Sequence, residues 1–291
     1  MKNIFVVLIG VVLSGMISTN CVAQDVKKEV YDKVNIPLKK PVPYPDIREA
    51  DVMWSKIIWR MVDLREKMNL PLIYPTAPIG ERMSLISLLL YGIDNEGLQV
   101  YNTTSEFDEF KVAMTKADID ANLDAGEKKT QIIDAAGNPI DSTYMQDRRI
   151  DEVKKLLIKE KWFFDKQHST MQVRILGLCP IRVFPKVVQG QNSAEAGDDA
   201  EIVMKQVFWV YYPEARNLLA SHAIFTRFND AQQVSFDDLF MQRRFSGYIF
   251  KESNVYNNRR VEEYATGVEA LLEADRIKQY LFEVEHDLWE Y

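Results

Sequence analysis

The chain has 291 residues, enough for one large or two small domains with a sizeable core. Its 36 basic and 43 acidic side chains leave a net charge of −7 and no clustered basic patch, which argues against nucleic acid as the main partner, because phosphate binding needs a basic face. An aromatic content of 11% suits a thick core or adhesive interfaces.

Residues 1–23 read as a secretory signal. Lys2 supplies the charged start, residues 4–17 are almost wholly apolar, and Cys21-Val22-Ala23 offers a small-residue cleavage site. The apolar run is short for a membrane span, and no later stretch is long enough. The expectation is therefore an exported, soluble chain starting near Gln24, with a net charge of −8 once Lys2 is lost. Ser18-Thr19-Asn20 makes a poor lipid-attachment signal at Cys21, because Asn is bulky beside the acylated residue. Without Cys21, Cys179 has no internal disulfide partner and reads as a small hydrophobe in an apolar, strand-like run, residues 175–181.

Residues 24–46 form an extended arm. Pro37, Pro41, Pro43 and Pro45 remove backbone donors and fix φ, which disfavours helix and central strand. Such an arm is either a disordered lead-in or a strap laid over another subunit.

Residues 47–165 read as mainly helical. Asp46 caps a helix reaching Met68, with Trp54, Ile57, Ile58, Met61, Leu64 and Met68 on its core stripe. Trp59 projects from the other side, where either a loop covers it or it anchors an interface. Short helices are expected over 83–91, 106–114 and 116–123, the last two capped by Ser105 and Thr115, with a strand over 98–101. Residues 130–133 and 140–144 flank the turn Ala136-Gly137-Asn138-Pro139 as a hairpin. A second long helix covers 147–164, placing Ile150, Val153, Leu156, Leu157, Phe163 and Phe164 on one face.

Residues 166–260 hold strands at 171–188 and 201–212, joined by a polar loop into a long hairpin, and a third strand at 223–228. Ser235 then caps a helix with Asp237 and Asp238 in its first turn. Run to Phe250, that helix carries two apolar stripes: Phe236, Leu239, Phe240 and Phe250 against Met241, Phe245, Tyr248 and Ile249. It is either a core helix between two layers or a helix with one face on a partner. Residues 261–291 complete the chain with two helical segments, near 260–274 and 275–291. The fold class is α+β: helices on a mostly antiparallel sheet, with an extended Pro-rich N-terminal arm.

Catalytic patterns are missing from this sequence. It holds no Gly-rich phosphate loop, HExxH or GxSxG. His168, His222 and His286 stand far apart, none with a zinc-motif neighbour. Asp118-Ile119-Asp120-Ala121-Asn122 imitates half an EF-hand loop, but Leu123 replaces the required Gly and Lys129 the closing Glu. Asp198, Asp199 and Glu201 lack calcium-loop spacing. The reading is no enzyme, no cofactor and no metal. A triad assembled across the fold leaves an exported hydrolase as one alternative. A periplasmic glycan- or peptide-binding module, with Trp59 in an aromatic cleft, is another.

Three blocks in order carry a resemblance: WRMVDLREKMNLPLIYP from Trp59, IKEKWFFDKQHSTMQVRILGLCPI from Ile158, and FNDAQQVSFDDLF with KESNVY from Phe228. Together they resemble the GldN/PorN family of Bacteroidetes gliding-motility and type IX secretion proteins. The resemblance implies a periplasmic, non-enzymatic structural subunit. Such a subunit pairs with a GldK/PorK-like outer-membrane lipoprotein and builds a ring with copies of itself. That ring is linked to GldL/PorL-like and GldM/PorM-like motor proteins. Within the blocks, resemblance and expected exposure mark Trp59, Arg60, Arg65, Arg227, Asn229, Asp230, Lys251, Glu252, Ser253 and Asn254 as interface residues.

Overall fold

A computed structural model describes residues 35–79, 82–103, 109–133, 139–186, 202–226, 229 and 231–287. The signal segment, the Ser105 cap, the hairpin turn at 136–138, the polar loop at 189–199, Arg227 and Asp230 lie outside the described residues.

Seven strands form one antiparallel sheet: β1 (Val52–Asp63), β2 (Val100–Tyr101), β5 (Val153–Asp165), β6 (Thr170–Pro185), β7 (Ile202–Gln206), β8 (Trp209–Tyr211) and β9 (Tyr248–Glu252). The order is β2-β8-β6-β5-β1-β9, with β7 paired to the far end of β6. Two further strands, β3 (Gly126–Ile133) and β4 (Pro139–Gln146), make a separate hairpin. Six α-helices accompany them among the described residues: α1 (Leu70–Ile73), α2 (Leu85–Tyr91), α3 (Lys116–Asn122), α4 (Tyr212–Ala220), α5 (Phe236–Met241) and α6 (Val268–Asp287). The class is α+β, as the sequence suggests.

The two longest helices expected from the sequence are strands. The segment at 46–68 is β1, and that at 147–164 is β5; they pair from Val52↔Asp165 to Asp63↔Lys155. Both lie inside the sheet, and their central residues, 58–62 and 156–160, are buried on both faces, so the alternation that marks a half-exposed strand is lost there. Apolar residues on both faces then imitate a helical stripe. Ile58 and Val62 point to one side of β1, Trp59 and Met61 to the other.

The expected two-faced helix also resolves differently. Ser235 and Asp238 form the capping box, but α5 ends at Met241, and Arg243 takes φ +53°. The chain then turns past Gly247 into β9. A Cβ at Gly247 would stand 2.6 Å from the Met61 carbonyl oxygen, so this close crossing requires glycine. The eight apolar residues thus divide among α5 (Phe236, Leu239, Phe240, Met241), the turn (Phe245) and β9 (Tyr248, Ile249, Phe250). Within β9, Ile249 faces α6 and Phe250 faces the opposite cluster. Of the strand expected at 223–228, the described residues 223–226 form a single bridge, Ala223↔Ser235, and in the C-terminal region residues 268–287 run as the one helix α6 across the break expected at 274–275. The described residues of the expected helix at 106–114 form turns and a bridge at Ala113 rather than a helix.

The sheet's two faces are covered unequally. Helices α2, α4 and α5 bury one face around Leu88, Tyr212, Leu219, Phe236 and Phe240. Helix α6 continues that cover, packing Ala274, Ile277 and Leu281 on Ile58 and Ile249. The other face holds Trp59, Met61, Leu157, Cys179, Ile181, Trp209 and Phe250, packed with strand residues and with Phe110 from a loop. Gly177 makes room for that ring, since a Cβ there would lie 2.5 Å from Phe110 Cζ.

The described part of the arm, residues 35–46, packs against the rest of its own chain. Ile36 is buried, Lys39 pairs with Asp238, and Arg174 donates to the Pro45 carbonyl. The Tyr44 ring lies 4.3 Å from the Arg216 guanidinium and 4.8 Å from that of Arg174.

Candidate interaction site

Strand β1 carries a charged cluster on each side. On the loop-covered face, register sets Trp59 directly opposite Lys159 of β5 and Lys251 of β9. The lysine ammoniums stand 5.2 and 4.7 Å from the Trp59 ring centroid. Trp59 Nε1 donates to Glu109 Oε1 at 2.9 Å, and Lys159 Nζ donates to Glu109 Oε2 at 2.5 Å. Glu109 is buried, so these two bonds are what make its charge tolerable. Beside this row lies a cavity of about 340 Å³, floored by Trp59, Met61, Leu157 and Ile181 and edged by Lys205 and Arg260.

On the helix-covered face, Glu160 is completely buried. Its Oε1 accepts from Arg60 Nε at 3.4 Å and Arg243 Nη2 at 2.9 Å; its Oε2 accepts from Trp162 Nε1 at 3.0 Å. Burial pulls the Arg243 guanidinium below its ordinary range, and Glu160 partly opposes this.

The interface residues expected from the sequence divide. Trp59 is 4% exposed, and Arg60 and Lys251 are also buried, so these three lack the exposure expected of them. The helix on which Trp59 was to project does not exist. Arg65 is exposed at the end of β1 and grips Asp63 with bonds of 3.0 and 2.6 Å. Asn229 is exposed and folds its own turn, Oδ1 accepting from Ala231 N at 3.0 Å. Glu252, Ser253 and Asn254 are half-buried; Glu252 pairs with Lys56 at 2.7 Å, and Ser253 Oγ accepts from Ile57 N at 3.2 Å. The structure brings Trp59 and Lys251 together and sets Arg60 on the reverse side of the sheet. Sequence reasoning missed Glu109, Lys159, Glu160 and Arg243. One signal was present: Lys159-Glu160-Lys161 interrupts an apolar run, the mark of charges carried into a covered strand.

Two of the three histidines bond residues within four positions of themselves. His168 Nδ1 meets Asp165 Oδ2 at 2.5 Å, and His222 Nδ1 lies 3.0 Å from both Ser221 Oγ and the Leu218 carbonyl. Ser221 donates to that same carbonyl at 3.0 Å. That is a local turn, because a triad needs a second group holding the imidazole. Among the described residues no group of three or more His, Cys, Asp or Glu could hold a metal. Burial raises the Cys179 thiol far above its usual range, leaving a poor nucleophile. Trp59 is too enclosed to offer the open ring on which a sugar stacks. No helix among the described residues is long and apolar enough to cross a membrane.

Residues 47–290 match the family model described as gliding motility associated protein GldN. No curated relative matches the chain.

Proposed function

Because the chain belongs to the GldN family of gliding motility associated proteins, we propose that it is a non-enzymatic structural subunit of the periplasm. In this reading it assembles with a GldK/PorK-like outer-membrane lipoprotein and further copies of itself into the ring of the type IX secretion system. It thereby supports protein secretion and gliding, beside GldL/PorL-like and GldM/PorM-like motor proteins. The observation that carries this reading is the family match across nearly the whole described chain. The surface of α6 supports it. Besides burying Ala274, Ile277 and Leu281, the helix exposes Val268, Leu271 and Leu272 in its first turns and Phe282 nearer its end. An amphipathic helix needs one apolar stripe; a further exposed apolar cluster in its first turns suits a protein contact.

Of the interface residues, Arg65, Asn229, Glu252, Ser253 and Asn254 retain solvent access, and Arg227 and Asp230 stay in the proposal from sequence alone. The test is capture of the tagged chain from cell envelope, with mass spectrometry and particle imaging. The expected result is a large particle containing a lipoprotein. A chain that stays monomeric beside the GldK-like lipoprotein of the same genome overturns the reading.

A further inference from the structure

The charge cluster around Arg60 does not balance. One buried carboxylate, Glu160, faces two guanidiniums, and both bond the same oxygen. Arg60 spends Nη1 on the Gly247 carbonyl at 3.0 Å, which relieves no charge. Arg243 holds its position from a left-handed backbone, φ +53°, a conformation that costs a non-glycine residue roughly 1–2 kcal/mol.

Both arginines line a cavity of about 480 Å³ that α6 closes on one side. The same wall carries Lys278 and Glu285, neither of which has an ion-pair partner among the described residues. Those two cancel in charge, so among the described residues the cavity keeps the excess of one positive charge set by Arg60, Arg243 and Glu160. Trp162, Phe245 and Leu281 supply apolar wall, while Phe282 and Met68 stand 67% and 60% exposed and complete the lining.

We propose that this cavity receives the Asp or Glu side chain of an extended segment of a partner protein, with an apolar neighbour of that residue seated on Phe282 and Met68. A guanidinium matches a carboxylate in geometry, and such charge-assisted bonds strengthen where water is excluded. Charge selects a carboxylate over a phosphate monoester, which approaches a dianion at neutral pH. One negative charge neutralises the cluster, whereas a dianion leaves a desolvated excess of the opposite sign. The proposal gives the chemistry of one partner contact. It rests on the subunit reading only in taking the partner to be a protein.

The test titrates the isolated chain with two blocked tripeptides, acetyl-Phe-Glu-Leu-amide and acetyl-Phe-Gln-Leu-amide, read by calorimetry. The Glu peptide is expected to bind about tenfold more tightly than the Gln peptide, the margin of a charge-assisted hydrogen bond. Arg243→Gln is expected to abolish that preference. Lys278→Gln, an exposed change on α6 that leaves folding intact, is expected to weaken the Glu peptide about threefold. It keeps the test decisive should Arg243→Gln unfold the chain. Absence of binding, equal binding of the two peptides, a preference that survives in a folded Arg243→Gln, an unchanged affinity in Lys278→Gln, or displacement by equimolar inorganic phosphate each overturn the proposal. Failure here with a ring particle still captured from envelope would leave the family reading standing and remove only the carboxylate contact.

Discussion

At the scale of single residues, Trp59 and Asp237 carry burdens that differ from their appearance in sequence. Trp59 fills the space between two lysines and gives its indole N–H to buried Glu109. Trp59→Phe keeps most of the packing and removes one donor, which is expected to cost about 1–2 kcal/mol in urea unfolding. Trp59→Ala removes the ring as well and is expected to cost about 3–5 kcal/mol. A loss of partner binding in the alanine variant would therefore report unfolding, and the phenylalanine variant is the better probe. Asp237 is buried and accepts from Arg216 Nε at 3.0 Å, Arg216 Nη2 at 3.1 Å and the Tyr212 hydroxyl at 2.7 Å. Asp237→Ala strands Arg216 without its carboxylate and is expected to cost about 3–5 kcal/mol by the same measurement. In sequence Asp237 is a helix-start acid favoured by the dipole; its real partners lie 21 and 25 residues away. The caps were legible because they are local. Thr115 with Asp118, and Ser235 with Asp238, both close capping boxes within three residues.

At the scale of elements, legibility followed exposure. Helix α3 and the β3–β4 hairpin lie where the sequence places them, since a cap marks the one and a turn the other; the almost wholly buried α2 was legible as a short apolar run after the loop marked by Pro75, Pro78 and Gly80. Strands β1 and β5 were read as helices because their central residues, 58–62 and 156–160, are buried on both faces. The long β6–β7 hairpin was legible from its β-branched content and polar loop. Ions tie the β3–β4 hairpin to the sheet. Asp124 stands before β3 and Arg149 after β4; Arg182 of β6 reaches Glu152 at 2.5 Å and Asp124 at 3.5 Å, and Arg149 reaches Glu152 at 2.9 Å. Burial would raise both carboxyl groups. The bonds from Arg182 and Arg149 at Glu152, and from Lys128 with both arginines at Asp124, outweigh it and hold both below their usual range. A depressed carboxyl stabilises the fold above its unfolded pKa, and that contribution fades as pH falls through the lower folded value. Thermal midpoints are thus expected to hold from pH 7 to about 5 and to fall below about 4, where unfolded carboxyl groups titrate. Arg182→Met should flatten that acid limb; an unchanged limb would show that other groups dominate it. Gly247→Ala belongs to this scale too. Its Cβ meets backbone rather than a flexible side chain, so a cost of about 1–3 kcal/mol and loosened β9 amide protection in hydrogen exchange are expected.

At the scale of the whole molecule, α6 joins the fold to the proposed assembly. Leu272→Glu changes an exposed side chain and is expected to leave the urea midpoint within about 0.5 kcal/mol of wild type. Under the ring reading, particles captured with this variant should be smaller or missing; full-sized particles would clear the exposed first turns of α6 of any role. The order of strands has its own consequence for synthesis. Strand β1 is made early, yet its neighbours are β5 and β9, and β9 ends at Glu252. At about 5–20 residues per second, roughly ten to forty seconds separate β1 from the partner that closes its second edge. During that interval a strand rich in Ile, Met and Trp has unsatisfied backbone groups along one side, a template for pairing with another chain. Such non-local topologies fold slowly. A nascent chain of this protein thus depends on a holdase or on delayed folding until residue 252 is available, and fragments truncated before Gly247 will be recovered mainly as aggregate.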